Sequence, residues 1–168
     1  MKRLILMRHA KSDWSGGPNS DHERPLNKRG RRSSAALGDW LREQELEPDQ
    51  VLCSSAIRTH ETLLRLSLPE DLPVTLTRDL YLAEPEEMLA VLRSATGDCV
   101  LMLAHNPGSS ITARRLLAQV PEHPRFSAYP TGATLVADFD IDKWQDLRWG
   151  SGVCCDFVVP RDLPAADS

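Results

Sequence analysis

The run Cys99 to Ala104, CVLMLA, is the most apolar stretch of the 168-residue chain and narrows the choice of fold more than any other feature. Six residues are too few for an ordinary helix and show no polar alternation. The run therefore reads as a strand buried on both faces, as strands of a parallel sheet are. Lys2 to Met7 and Asp49 to Ser54 read as two more such strands. Helical stripes lie between these runs. Leu37, Trp40 and Leu41 stand at i, i+3, i+4 in a helix expected from an N-cap at Asn27 to about Glu45. A second helix is expected from Ile57 to Leu66, and a third begins at Pro85, whose missing N–H costs nothing at a first helical position. Ile111, Leu116 and Leu117 suggest a fourth, and Ala133 to Phe139 and Gly152 to Val159 read as late strands with no helix between them. Strands alternating with helices predict an α/β fold, a mostly parallel sheet covered on both faces, with the late pair able to make it mixed.

With 41% hydrophobic and 26% charged residues, the composition excludes a disordered chain and a disulfide scaffold. The length fits one domain, taken as residues 1–160 with a polar tail at 161–168. A net charge of −4 argues against nucleic acid as a partner. No stretch approaches the ~20 apolar residues of a membrane span, and Leu4 to Met7, cut off by Arg8, is too short for a signal sequence. A cytoplasmic location is expected, where Cys53, Cys99, Cys154 and Cys155, lacking CxxC or zinc spacing, stay reduced as small hydrophobes in strands.

In open α/β sheets ligands bind beyond the carboxyl ends of the strands. The first strand here ends in Arg8-His9-Ala10, the second leads through Ser54-Ser55-Ala56 to Arg58, and the most apolar one ends in His105-Asn106-Pro107-Gly108. Each histidine alone is more simply a capping or surface residue. Together they place two histidines and two arginines in one crevice, with no acid in the same short motifs. That is costly unless an anion is the partner. Arginine forks grip phosphate oxygens in pairs, and a neutral imidazole can attack phosphorus to give a phosphohistidine that water then hydrolyses. Arg8, Arg58 and His105 would neutralise the equatorial oxygens. Clustered metal ligands are missing from the motifs, so no metal or other cofactor is expected.

Arg8-His9-Ala10, Ser54 to Thr59 (SSAIRT) and His105 after an apolar strand resemble the signature motifs of the histidine phosphatase superfamily, also called phosphoglycerate mutase-like. More narrowly, Arg8 to Trp14 (RHAKSDW), Arg24-Pro25-Leu26-Asn27 with Gly30, and Ala104 to Gly108 (AHNPG) are similar to its SixA-type phosphohistidine phosphatase branch. The likeness runs in order from Leu4 to about Gly108 and is weaker at Pro130-Thr131-Gly132. It implies a three-layer α/β/α sandwich with a mixed sheet. It also implies His9 as nucleophile, with Arg8, Arg58 and His105 completing a phosphate pocket. Arg24 and Asn106 are expected to bind substrate, Arg24 because the resemblance sets it in a motif and Pro25 fixes the chain beside it. Ala10 departs from the commoner glycine, and slight crowding is expected there.

A general acid is harder to find. Many larger family members supply one from an insertion after the second arginine, but Thr59 to Pro85 is short and offers Glu61, Glu70, Asp71, Asp79 and Glu84. Glu84 is the best placed, although an acid before Pro85 is also what a helix start prefers. Asp13 and Asp21 are alternatives. A site without a strong acid suits a phosphoryl group on imidazole, which leaves readily once protonated, better than an alkyl ester. The expected substrate is thus a phosphorylated protein bearing phosphohistidine. The other readings are a small-molecule phosphomonoesterase or pyrophosphohydrolase, or a binding module that no longer turns over. The stripe Lys28, Arg29, Arg31, Arg32 reads first as a solvated helix face and second as a docking surface. Trp14, Trp40, Trp144 and Trp149 read as core or rim, His22 and His60 as rim, and His123 as loop surface.

Overall fold

The computed structural model describes residues 1–17 and 20–164. Its sheet has six strands: β1 (Lys2–Arg8), β2 (Gln50–Ser54), β3 (Val74–Thr77), β4 (Cys99–Ala104), β5 (Thr134–Phe139) and β6 (Val153–Val158). They lie in the order β3-β2-β4-β1-β5-β6. The first four run parallel, whereas β5 is antiparallel to β1 and β6 to β5. The sheet is mixed, as the late strand pair allowed.

Alternation along β1 divides the core into two layers. Leu4 and Leu6 face a cluster shared with α3 (Pro85–Arg93) and α4 (Gly108–Leu116). Ile5 and Met7 face the other cluster, shared with α1 (Lys28–Glu43) and α2 (Ile57–Arg65). Side chains at successive strand positions point to opposite faces, so a run apolar at every position is what a two-sided sheet requires. The result is the expected three-layer α/β/α sandwich. Asn27 caps α1, its side-chain oxygen accepting the Gly30 N–H at 2.8 Å.

β3 has no counterpart among the expected elements. It is a four-residue edge strand, exposed at Val74, Thr75 and Leu76, and lacks the apolar run that marks its neighbours. The end of the chain also differs from a loose polar tail. Pro160–Asp162 forms a 3-10 turn and Leu163 is buried among the α1 and α2 side chains, while the last four tail residues, 165–168, lie outside the described ones. His123, expected on a loop surface, helps hold this turn through Asp162 at 3.0 Å and packs edge-on against Phe157. All four cysteines are free and in strands, with Cys53 buried and Cys155 exposed. Among the described residues no helix is long and apolar enough to cross a membrane.

Candidate active site

Parallel register brings three strand ends to one edge of the sheet. Arg8 pairs with Ala104 and Cys53 with Leu103, so His9, Ser54 and His105 emerge side by side. The antiparallel β5 begins at the same edge. There the Arg8 N–H donates to Ala133 O at 3.0 Å and the Gly132 N–H to His9 O at 2.9 Å, which adds Pro130 and Thr131 to the site. The cleft formed holds about 540 Å³ and is lined by Arg8, His9, Arg24, Arg58, His105 and Asn106, with Lys11, Ser12, Trp14, Asp21, Leu82, Pro130 and Thr131.

His9 is 5% exposed, and its Nδ1 lies 2.7 Å from the carbonyl oxygen of Ala10. A carbonyl only accepts, so Nδ1 carries the proton and Nε2 keeps its lone pair. Ala10 serves through its backbone at both ends: its carbonyl orients His9, and its N–H donates to Thr62 Oγ1 at 3.0 Å. Burial holds the His9 pKa well below the ordinary histidine value, and His105, Arg8 and Arg58 add to this against the Ala10 hydrogen bond. His105 stands with its ring centre 5.2 Å from that of His9. Its Nε2 meets Ser54 Oγ at 2.7 Å. That hydroxyl already accepts from Ala56 N–H, so its own proton is free to go to Nε2. With the hydroxyl donating to Nε2, the His105 proton sits on Nδ1, which is buried without a partner among the described residues. Burial and then Arg58 push the His105 pKa down to about 3, so both rings are neutral at pH 7.

The arginines are held by backbone and by one acid. Arg58, 2% exposed, donates to the Asp21 carbonyl at 2.7 Å and to its carboxylate at 3.0 Å. Arg24 donates to Ser12 Oγ and to Asp21 Oδ1, the latter at 2.9 Å, and lies 3.6 Å over the ring of Trp14. Arg8 reaches the Tyr129 carbonyl at 3.3 Å. The Nε atoms of all three are buried without a partner in the protein. Burial, with Arg58 and Arg24 nearby, lowers the Arg8 pKa. Four cationic side chains line the cleft against one carboxylate, which suits a doubly charged oxyanion.

Several expectations change in position or role. The short motifs lack an acid, yet Asp21 enters from the preceding loop and pairs with Arg24 and Arg58. Burial raises its pKa, but hydrogen bonds from Tyr81, Arg24 and Arg58 outweigh this and hold it well below the carboxylate range. A carboxylate so held has no proton to give, which removes Asp21 as a general acid. Glu84 does not line the cleft: it is the N-cap of α3, where its backbone N–H donates to Glu87 Oε1 at 2.9 Å. Asp13 accepts from Ser15 N–H and hydroxyl at the surface. Asn106 lines the cleft, but its amide donates to the carbonyls of Ala128 and Tyr129 and its oxygen accepts from Ser110 N–H. Its polar atoms thus tie a loop rather than face a substrate. His22 is at the rim, 2.8 Å from Ser55 Oγ and edge-on to Tyr81. His60 lines a separate apolar depression with Leu63 and Leu64.

Trp14 is the exposed rim residue, Trp40 and Trp144 are core, and Trp149 is half-buried under Arg115. Tyr81, whose hydroxyl donates to Asp21 at 2.5 Å and whose ring stands edge-on to His105, was not among the expected site residues. No local pattern singles out a lone tyrosine after a short edge strand. The Gly30 of the Arg24-to-Gly30 motif has a steric reason: a Cβ there would lie 2.0 Å from the Lys11 carbonyl. Among the described residues no three His, Cys, Asp or Glu side chains gather as a metal ion requires.

Known proteins share this fold. Residues 4–81 match the family model of the histidine phosphatase superfamily, branch 1. The chain is 33% identical to the uncharacterized protein ML1117 of Mycobacterium leprae, over 92% of this chain and all of that one. Its fold superposes on a SixA protein of Nakamurella multipartitia with a TM-score of 0.83 at 27% identity, covering 95% of this chain and 96% of the other. The protein histidine phosphatase SixA in complex with tungstate matches at a TM-score of 0.76 and 22% identity, covering 95% and 98%. With its two strand-end histidines, its arginine-lined cleft and its SixA-type sandwich, this chain belongs to the histidine phosphatase superfamily, branch 1, and is a phosphatase.

Proposed function

We propose that this protein hydrolyses phosphohistidine on a partner protein through a covalent phosphoryl group on its own His9. The observation that carries the reading is the Nδ1 hydrogen bond of His9 to Ala10 O, which leaves a neutral Nε2 lone pair in a cleft of three guanidinium groups. Nε2 attacks phosphorus as the bond to the leaving nitrogen breaks, and Arg8, Arg24 and Arg58 take the charge of the equatorial oxygens. His105 Nδ1–H donates to one of those oxygens. Water then attacks the phosphorus of phospho-His9, releasing phosphate and returning the electron pair to Nε2.

Leaving-group chemistry supports the substrate class. Among the described residues the one carboxylate lining the cleft, Asp21, is ionised and engaged by two arginines, so none of them stands ready to protonate an alkoxide. A histidine leaving group takes its proton from solvent at its other ring nitrogen and needs none from the enzyme. The name of the tungstate-bound relative, a protein histidine phosphatase, points to the same class.

The test is phosphate release from a phosphohistidine protein by wild type and His9→Ala in EDTA, with phosphoserine and a sugar phosphate as controls. Wild type should release phosphate from phosphohistidine alone, and turnover by His9→Ala should fall at least about 10³-fold, as for loss of a covalent nucleophile. Turnover surviving in His9→Ala would sink the mechanism, and equal rates on the esters would sink the substrate class.

A further inference from the structure

Beside the catalytic cleft, across a wall made of Lys11, Pro130 and Thr131, lies a second groove of about 200 Å³ into which Arg29, Arg125 and Arg161 also project. We propose that this groove binds an acidic segment of the substrate protein next to its phosphorylated residue, an inference that rests on the proposed phosphatase reaction and names what its substrate carries beyond the phosphoryl group.

The positive charge is gathered rather than incidental. Lys11 follows β1, Arg29 is in the first turn of α1, Arg125 comes from the segment between α4 and β5, and Arg161 from the turn after β6. Lys11, Arg125 and Arg161, from three separate parts of the chain, meet in one groove that Arg29 also lines, and no acidic residue is among those described as lining it. A solvated helix face would draw its charges from one element. This one occurs in a chain whose acids outnumber its bases, 24 to 20, so an acidic partner is repelled by the molecule at large and attracted here. Of the basic stripe Lys28, Arg29, Arg31, Arg32, Arg29 is the one that lines the groove, and the Arg31 guanidinium donates to the Leu26 carbonyl.

The wall common to both sites is fixed backbone. Asn27 N–H donates to Lys11 O at 3.0 Å, and Gly132 N–H to His9 O at 2.9 Å. A phosphorylated side chain in the cleft leaves its main chain at the mouth. Two or three further residues of extended chain cover roughly 7–10 Å, and the two clefts share Lys11, Pro130 and Thr131 as lining residues. Glu and Asp carboxylates match the arginine forks there. The groove thus selects among phosphoproteins without touching the reacting atoms.

Binding can be read apart from hydrolysis. Fluorescence polarisation of an unphosphorylated, Asp/Glu-rich ten-residue peptide is measured against its Asn/Gln counterpart, on wild type and on Arg125→Ser/Arg161→Ser. Hydrolysis of free phosphohistidine is followed in the same two proteins. The acidic peptide should bind wild type better than the neutral one, and the double variant should bind it about fivefold more weakly, as the loss of two exposed ion pairs predicts. The preference should fade at high salt, and hydrolysis of free phosphohistidine should be unchanged. Equal binding of the two peptides, or of the acidic one to both proteins, would overturn the proposal. So would pyrophosphate binding to the groove with no peptide preference, which would make it a small-polyanion site. Peptide preference without any hydrolysis would refute the reaction and leave the groove standing.

Discussion

Acid should weaken this protein well above the pH at which its carboxylates titrate, because two buried histidines are held neutral among guanidinium groups. His105 is 2% exposed, and burial followed by Arg58 holds its pKa at about 3, whereas an unfolded histidine titrates near 6.5. The unfolded chain therefore takes up this proton first. The penalty is absent above about pH 6.5 and grows as pH falls toward the folded value. Between pH 7 and pH 5 it amounts to about 2 kcal/mol for His105 alone, a figure that needs only a folded pKa well under 5. His9 contributes in the same direction. Asp21 offsets none of this, since a carboxylate depressed on folding loses its contribution only below the ordinary carboxylate range.

Against a total stability of about 5–15 kcal/mol, such a loss is easily resolved by urea unfolding. Wild type and His105→Gln are compared at pH 7, 6 and 5. Glutamine keeps a polar group near Ser54 but cannot titrate, so wild type should lose about 2 kcal/mol more than the variant over this range. Parallel curves would refute the reasoning, however much the substitution lowered stability at every pH.

Two further substitutions test the scaffold of the site. Asp21→Asn should cost about 1 kcal/mol at pH 7, a small figure because the Asp21 side chain is 42% exposed and solvent screens the pairs. As pH falls through the depressed value of Asp21 the wild type loses the same contribution, so thermal unfolding should show the two proteins converging in strong acid. Gly30→Ala places a Cβ against the Lys11 carbonyl and should destabilise by about 2–3 kcal/mol in urea. Gly16→Ala, with nothing within 4 Å of the added Cβ, is the silent control.

How much could be read before the structure depended on how local each signal is. β1, β2 and β4 are legible because burial on both faces makes them apolar at successive positions. Arg8, His9, Arg58 and His105 follow directly from where those strands stop. β3 left no such mark, since an exposed edge strand as short as Val74–Thr77 is not held to an apolar run. Asp21 was legible as an acid near the nucleophile but not as the partner of Arg58, 37 positions along the chain. Its role depends on how the loop before α1 folds back over α2. Glu84 and Asn106 illustrate the opposite case, residues with suitable chemistry at suitable positions whose polar groups serve the backbone instead.

The same arrangement explains why neutral histidines and a deeply ionised aspartate belong together. Arginine cannot shed its proton, so three guanidinium groups gathered with buried, unpartnered Nε atoms raise the energy of any further positive charge nearby. Burial first, and these charges in addition to it, keep the two rings neutral, and His9 and His105 are both pushed down. For a nucleophile that response is the useful one, since only the unprotonated ring has a lone pair to give. Asp21 answers the same field from the other side by holding its charge, and it relieves Arg24 and Arg58 while Arg8, among the described residues, has only a carbonyl. An oxyanion is therefore drawn to the side of the cleft that Asp21 leaves uncompensated, beside Arg8 and next to His9 in the chain. In the proposed reaction the ionised Asp21 carboxylate cannot act as an acid and instead helps to direct the phosphoryl group toward His9.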